Sequence, residues 1–160
     1  MCHIRPATDA DFEAIWPIFQ AIVAAGETYT FSRDTTKEQA FDLWMRVPRS
    51  TFVTIDDGEI LGTYFIKTNQ YGGGAHVCNC GYMVATAARG LGIARLMCEH
   101  SQTVALELGY LAMQFNFVVS SNQAAVRCWT QLGFNPDFPL GFVMMMDALF
   151  ETVLLRMRRQ

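Results

Sequence analysis

The hydrophobic positions of the chain repeat with two different spacings, which predict an alternation of helices and strands. Apolar residues recur at helical spacing over 8–26, 37–47, 93–108 and 120–133. Alternating or continuous apolar runs, typical of strands, cover 3–5, 51–67, 76–85, 110–119 and 151–158. The resulting order, β-α-α-β-β-β-α-β-α-β, predicts an α/β (α+β) fold in which helices cover both faces of a mixed sheet.

Turn signals divide these elements. Asp57-Gly58 separates two alternating runs and predicts a tight hairpin turn. Gly26 ends the first helix, and Pro17 within that helix predicts a kink or a break. No linker, repeat or low-complexity segment interrupts the chain, so residues 1–160 are predicted to form a single domain.

Composition and charge narrow the classes of function. The net charge of −3 argues against a nucleic-acid partner. The chain has neither a signal-peptide core nor an apolar run of membrane-spanning length, which predicts a cytoplasmic protein that does not enter membranes. Five cysteines include only one close pair, Cys78 and Cys80, with no further metal-like ligands nearby, so we expect reduced thiols and no metal.

A glycine-rich turn lies between the strand at 76–85 and the helix at 93–108. Its sequence, Arg89-Gly90-Leu91-Gly92, precedes a helix N-terminus, where unpaired N–H groups and a positive dipole favour a phosphate. The P-loop pattern is missing, and Arg95 stands where a dinucleotide-binding GxGxxG would end. A phosphate cradle and a simple tight turn both fit these residues.

Two motifs together resemble the GNAT superfamily of N-acetyltransferases. Residues 89–94 fit Arg/Gln-x-x-Gly-x-Gly/Ala, the pattern of that family's coenzyme A pyrophosphate loop. One helix and one strand later, SSNQAAVRCWTQLGF resembles the family's second signature. The resemblance covers roughly residues 3 to 134. Within the superfamily, AGETYTF, NCGYMV and MQFNFVVSSN resemble bacterial enzymes for small amino-acid-like amines and fungal enzymes that acetylate proline analogues.

The resemblance implies acetyl-CoA as cosubstrate and a mostly antiparallel GNAT-like sheet in which two splayed strands form the CoA cleft. The backbones of Met83 and Val84 would bind the pantetheine arm, and Asn122 would bind it or lie near the thioester. The N–H groups of the glycine turn and the helix start would hold the pyrophosphate. These groups belong to Arg89, Gly90, Leu91, Gly92, Ile93 and Ala94.

The resemblance implies fewer details about the site that binds the acceptor amine. Glu27 is the candidate general base and substrate contact, and Tyr29 and Phe31 would line the same site. Asn79 and Asn116 are predicted to lie mid-strand. Each either forms hydrogen bonds within the sheet or binds a substrate carboxylate or carbonyl beside the thioester. In the second case Asn116 would be a catalytic group. Alternatively, Glu27 is a solvated acidic residue of the loop without a catalytic role.

The chain departs from the family pattern at two positions. Many relatives carry a Glu on the strand before the glycine turn, whereas 76–85 holds no carboxylate. Trp129 stands where many relatives have a Tyr that protonates the leaving thiolate, and an indole N–H cannot serve as that acid.

The predicted function is transfer of an acetyl group from acetyl-CoA to a small amine, such as an amino acid or analogue, by direct attack in a ternary complex. The alternatives are a non-catalytic acyl-CoA sensor and a protein N-terminal acetyltransferase. A Met- and Phe-rich C-terminal region predicts a homodimer.

Overall fold

The computed structural model describes residues 2–119, 122–135 and 142–145, the last range for its backbone alone. The strands are β1 (His3–Pro6), β2 (Ser50–Asp56), β3 (Glu59–Thr68), β4 (Val77–Val84), β5 (Ala112–Phe115) and β6 (Phe142–Met145). The helices are α1 (Phe12–Ala25), α2 (Lys37–Phe41), α3 (Ile93–Glu107) and α4 (Gln123–Gln131), and a π-helical turn, Asp42–Arg46, extends α2. No helix among these described residues has the length and apolar content needed to cross a membrane.

The strands form one six-stranded sheet in the order β1-β2-β3-β4-β5-β6. Every neighbouring pair is antiparallel except β4 and β5, which run parallel. This arrangement confirms the predicted mixed, mostly antiparallel sheet. The hairpin turn is also confirmed, because Asp57 and Gly58 both adopt positive φ, at 46° and 82°.

Two apolar cores lie on opposite faces of the sheet, so helices cover both faces as predicted. Alternate residues of β4 divide between them: Cys78 and Cys80 pack toward α3, whereas Met83 packs toward α1. Cys78 and Cys80 therefore share one face of the sheet. Their face belongs to a core that also holds Trp129 of α4.

The core under α1 contains a buried polar contact. The Trp44 indole N–H donates to Thr63 Oγ1 at 3.0 Å, and Thr63 Oγ1 donates to the Phe52 carbonyl at 2.9 Å. Trp44 also packs edge-on against Phe65 of β3, with ring centroids 4.8 Å apart. The contact therefore fixes the aromatic layer beneath the face that carries the predicted acceptor site.

Replacing Thr63 by Val should lower the free energy of unfolding by about 1–3 kcal/mol, because the buried indole N–H loses its acceptor while the side-chain volume hardly changes. Urea denaturation would measure the loss. Thr103→Val, at an exposed position on α3, is the matched control, with an expected change of less than about 0.5 kcal/mol. Equal stability of the two variants would contradict a role for the Trp44–Thr63 contact.

Several predicted boundaries need correction. Of the kink or break predicted at Pro17, the break does not occur, because α1 runs through this residue from Phe12 to Ala25. A proline removes only one helical hydrogen bond, and the buried stripe of α1 holds the helix on the sheet. The strand predicted at 110–119 spans only Ala112–Phe115. The strand predicted at 151–158 lies outside the described residues, and β6 forms earlier, in the Phe- and Met-rich segment.

Candidate functional site

The parallel strands β4 and β5 pair over only two positions. Val77 lies opposite Ala112 and Cys78 lies opposite Met113, after which the pairing stops. At the next position, Asn79 Nδ2 donates to the Gln114 carbonyl at 2.8 Å. A side-chain amide thus bridges the two strands where their backbones separate, and a gap opens beyond it.

The edge of β4 that faces the gap follows from its register with β3. Two hydrogen bonds at the ends of the β3–β4 ladder show which residues of β4 direct their backbone groups toward β3. Asn69 N–H donates to the Val77 carbonyl, and Ala85 N–H donates to the Leu61 carbonyl, both at 2.9 Å. The register between them is uninterrupted. Because backbone groups alternate in direction along an antiparallel pair, the odd-numbered residues of β4 bond to β3.

The even-numbered residues of β4 therefore direct their backbone groups toward the gap. Beyond the pairing with β5 these are Cys80, Tyr82 and Val84, so the predicted backbone site at Val84 lies on the open edge. Met83 has its backbone groups turned to β3 and its side chain fully buried. Tyr82 and Cys80 accordingly replace Met83 as the residues whose backbones can bind a ligand in the gap.

The open edge leads directly into the glycine turn. A short 3-10 turn, Thr86–Ala88, connects Val84 to Arg89, which is extended and exposed. Gly90 and Gly92 have φ of 80° and 78°, and a Cβ added at either would meet no atom within 4 Å. The glycines are therefore required by backbone conformation, and the space beside them is open.

The first turn of α3 supplies free hydrogen-bond donors. The N–H groups of Ile93, Ala94 and Arg95 have no acceptor among the described residues, as expected for a helix start. Gly92 is the N-cap residue of this helix. Donors, helix dipole and an open surface thus coincide at the predicted phosphate loop.

An aromatic wall lines the α3 face of the gap. The Trp129 ring lies 5.0 Å from Tyr82 and 5.1 Å from Phe115, and only 8% of Trp129 is exposed. The Tyr82 hydroxyl bonds to Ser101 Oγ at 2.8 Å, and burial raises the pKa of Tyr82 well above its usual value. Trp129 therefore acts as a packing residue, and Tyr82 keeps its proton.

The opposite, α1 face is built around Gly81. A Cβ there would lie 2.6 Å from Phe65 Cε1 and 3.1 Å from the Tyr29 hydroxyl, so the position has no room for a side chain. Tyr29 stacks on Phe31 at 5.3 Å and donates its hydroxyl hydrogen to the Tyr82 carbonyl at 2.9 Å. Burial raises the pKa of Tyr29, so this residue is a neutral donor that occupies one acceptor on the open edge.

Three amide side chains are hydrogen-bonded to one another beside this face, and Asn79 contacts the backbone of one of them; we call Asn69, Asn79, Gln114 and Asn116 the amide cluster. Asn69 Nδ2 donates to Gln114 Oε1 at 3.3 Å, and Asn116 Nδ2 donates to Asn69 Oδ1 at 2.8 Å. Asn79 lies mid-strand and is 9% exposed, as expected. Asn116, in contrast, does not lie mid-strand: it follows the end of β5 and is exposed, and no described strand pairs with the chain there.

The remaining predicted residues fall at the ends of elements. Glu27 is exposed in the turn after α1 and forms no ion pair with any described residue. Asn122 caps α4, with Oδ1 accepting from the Ala125 N–H at 3.1 Å. Its amide nitrogen makes no hydrogen bond within the described part of the chain and could still reach a ligand.

Comparison with known proteins identifies the fold. The family model of the Acetyltransferase (GNAT) family matches residues 12–134. A GCN5-related N-acetyltransferase from Kribbella flavida is 41% identical, with a TM-score of 0.81 over 89% of this chain and 95% of that one. A phosphinothricin acetyltransferase from Sinorhizobium meliloti, solved with acetyl-CoA, shares the fold with a TM-score of 0.74 at 17% identity, over 84% of this chain and 75% of that one.

A curated relative, the N-acetyltransferase aca1 of Schizosaccharomyces pombe, is 27% identical, and the match covers 70% of this chain. The chain spans 61% of the length of that relative. The chain belongs to the GNAT family of acetyltransferases, which confirms the predicted family and fold class.

Proposed function

We propose that this protein transfers the acetyl group of acetyl-CoA to the amine of a small molecule, by direct attack within a ternary complex. The observation that carries the proposal is the continuous path from the open edge of β4 to the glycine turn of α3. A long cosubstrate with a pyrophosphate needs donors spaced along its length, and this path supplies them. The family and the name of the S. pombe relative agree with the reaction.

The cosubstrate would bind along that path. The backbones of Cys80, Tyr82 and Val84 are suited to the pantetheine arm, which pairs with a free strand edge as an added strand would. The N–H groups of Gly90, Gly92, Ile93 and Ala94 are suited to the pyrophosphate, with the Arg89 guanidinium as a local cation. The predicted N–H groups of Arg89 and Leu91 already donate to the carbonyls of Thr86 and Ala88, so they are less available. Asn122 lies at the start of α4, and its amide nitrogen would donate to the pantetheine arm.

The reaction requires three things of the protein. The acceptor nitrogen forms a bond to the acetyl carbon while the carbon–sulfur bond breaks and thiolate leaves. Glu27, directly or through water, would accept the proton that the amine loses. The carbonyl oxygen gains negative charge, which a backbone N–H on the open edge of β4 can stabilise. With Tyr82 holding its proton and Trp129 unable to give one, the thiolate would leave unprotonated or take its proton from water.

The acceptor would be an amino acid or a close analogue. It would enter on the α1 face, where Tyr29 and Phe31 form an aromatic surface and Asn79 and Asn116 present amides near the gap. These groups match a small molecule with an amine, a short carbon skeleton and a carbonyl or carboxylate. A cytoplasmic homodimer that binds no nucleic acid or membrane completes the proposal.

Thiol release from acetyl-CoA tests the proposal. The panel would hold free amino acids, proline analogues, methionine sulfoximine, polyamines and short peptides with free N-termini. Release with a small-molecule class supports the proposal, and release with peptides alone would assign an N-terminal acetyltransferase instead. Tight CoA binding without release from any member would favour a non-catalytic sensor, which the lack of a carboxylate on β4 and β5 makes the second candidate.

A further inference from the structure

Lys67 is an isolated charge on the acceptor face of the sheet. The chain has two lysines, Lys37 and Lys67, and β4 and β5 carry no charged residue. On β3, the only other charged side chain is Glu59 at the opposite end. Lys67 is partly buried and forms no ion pair with any residue that the structure describes, whereas Lys37 pairs with Glu13 at 2.8 Å.

The ammonium of Lys67 lies over an aromatic ring on the same face of the sheet. Its ammonium lies 5.5 Å from the centroid of the Phe65 ring, so the chain folds back along β3 from position 67 toward 65. Phe65 lies opposite Gly81 in the register, and its ring edge occupies the space that a side chain at Gly81 would need. The ammonium is therefore held above the aromatic surface that borders the open edge.

Lys67 also has a specific polar neighbour. It lies directly opposite Asn79 in the β3–β4 ladder, and cross-strand partners place their side chains on the same face. Asn79 uses one amide hydrogen for the Gln114 carbonyl, and a primary amide has two. One ammonium and one spare amide N–H thus belong to cross-strand neighbours on the same face of the sheet, and Asn79 lies where β4 and β5 separate.

We propose that Lys67, with Asn79, binds the carboxylate of the acceptor, so that the protein prefers amines that carry an acidic group. The inference rests on the proposed function and adds a specificity-determining residue to it. A partly buried ammonium over an aromatic ring, with no carboxylate partner among the described residues, is suited to donate a charge-assisted hydrogen bond to a ligand. A single cation with a single amide matches a monoanion, and the amine at the other end of a short acceptor would then lie at the open edge.

Paired substrates separate charge recognition from chemistry. Each amino acid would be assayed beside its amide and its decarboxylated amine, proline with prolinamide and pyrrolidine among them, using thiol release by the full chain. Compared with the amino acid, the amide has a less basic amine nitrogen and the decarboxylated amine has a more basic one. A preference for the acid over both counterparts therefore cannot be caused by the basicity of the nitrogen. The variants are Lys67→Met and Lys67→Arg, with Lys37→Met as the matched control.

We expect the wild-type protein to prefer the acids, and Lys67→Met to lower their kcat/KM by about tenfold or more, mainly through KM, with the neutral counterparts changed less than about twofold. Lys67→Arg should retain most of the preference, because the charge is kept. The KM for acetyl-CoA and the activity of Lys37→Met should stay at wild-type values.

Equal use of acids and neutral amines, or a preference that survives Lys67→Met, would overturn this inference while leaving the acetyltransferase proposal intact. A general fall in activity on every substrate would assign Lys67 a structural role and overturn it as well. No thiol release from any pair, with acetyl-CoA bound, would overturn the proposed function and the inference together.

Discussion

Gly92→Glu should abolish binding of acetyl-CoA, raising its Kd at least about 100-fold. The glycine has a φ of 78°, and the space around a Cβ at this position is empty. In our account that space holds the pyrophosphate, which a carboxylate would both fill and repel at the start of α3. Isothermal titration calorimetry with CoA would measure the loss directly.

Gly109→Glu is the matched control for this experiment. Gly109 follows α3 at its other end, has a φ of 84°, and likewise has no atom within 4 Å of an added Cβ. Both substitutions force a side chain into the left-handed region at a cost of about 1–2 kcal/mol, so their effects on stability should be similar. If both variants bind CoA normally, the glycine turn does not hold the pyrophosphate.

Asn79→Ala should raise the KM for the acceptor by about tenfold, and the KM for acetyl-CoA by much less. The substitution removes the amide that bridges β4 to the Gln114 carbonyl and that lies beside Lys67. The acceptor loses a donor, whereas the backbone groups and the glycine turn that bind the cosubstrate are unchanged. Steady-state kinetics with each substrate varied in turn would separate the two effects.

Asn69→Ala provides the comparison within the amide cluster. Asn69 contacts Gln114 and Asn116 but follows the end of β3, away from the open edge. We expect a smaller effect on the acceptor than that of Asn79→Ala. A larger rise in KM for acetyl-CoA than for the acceptor in Asn79→Ala would remove Asn79 from the acceptor site.

The glycine turn could be predicted because its signal is local. Gly90 and Gly92 are in a backbone conformation that other residues rarely adopt, and the strand and helix on either side have clear apolar periods. The sequence therefore contains both the motif and its structural context. The order of helices and strands was predictable for the same reason, since each element has its own pattern.

The open edge of β4 could not be read from the same sequence. Side-chain alternation separates the two faces of a strand, but the direction of its backbone groups depends on the register with β3. For that reason the sequence alone points to Met83, whereas the register points to Tyr82. Lys67 was missed for a related cause, because only the register places it opposite Asn79.

The position of Asn116 illustrates a further limit. The apolar run that contains it continues to Val119, and this run alone predicts a long strand. In the structure Phe117 is 75% exposed, because β5 has already separated from β4 and none of the described strands pairs with this segment. Strand length is therefore set by the pairing partner as much as by the local pattern.

The most direct test of the account is residue-resolved amide NMR of the whole chain with and without CoA. We predict that CoA shifts and protects the N–H groups of Cys80, Tyr82 and Val84 together with those of the glycine turn and the start of α3. The N–H groups of Gly81 and Met83, which point to β3, should gain no protection. Protection of the odd-numbered residues of β4, or changes confined to another part of the sheet, would contradict the proposed path of the cosubstrate.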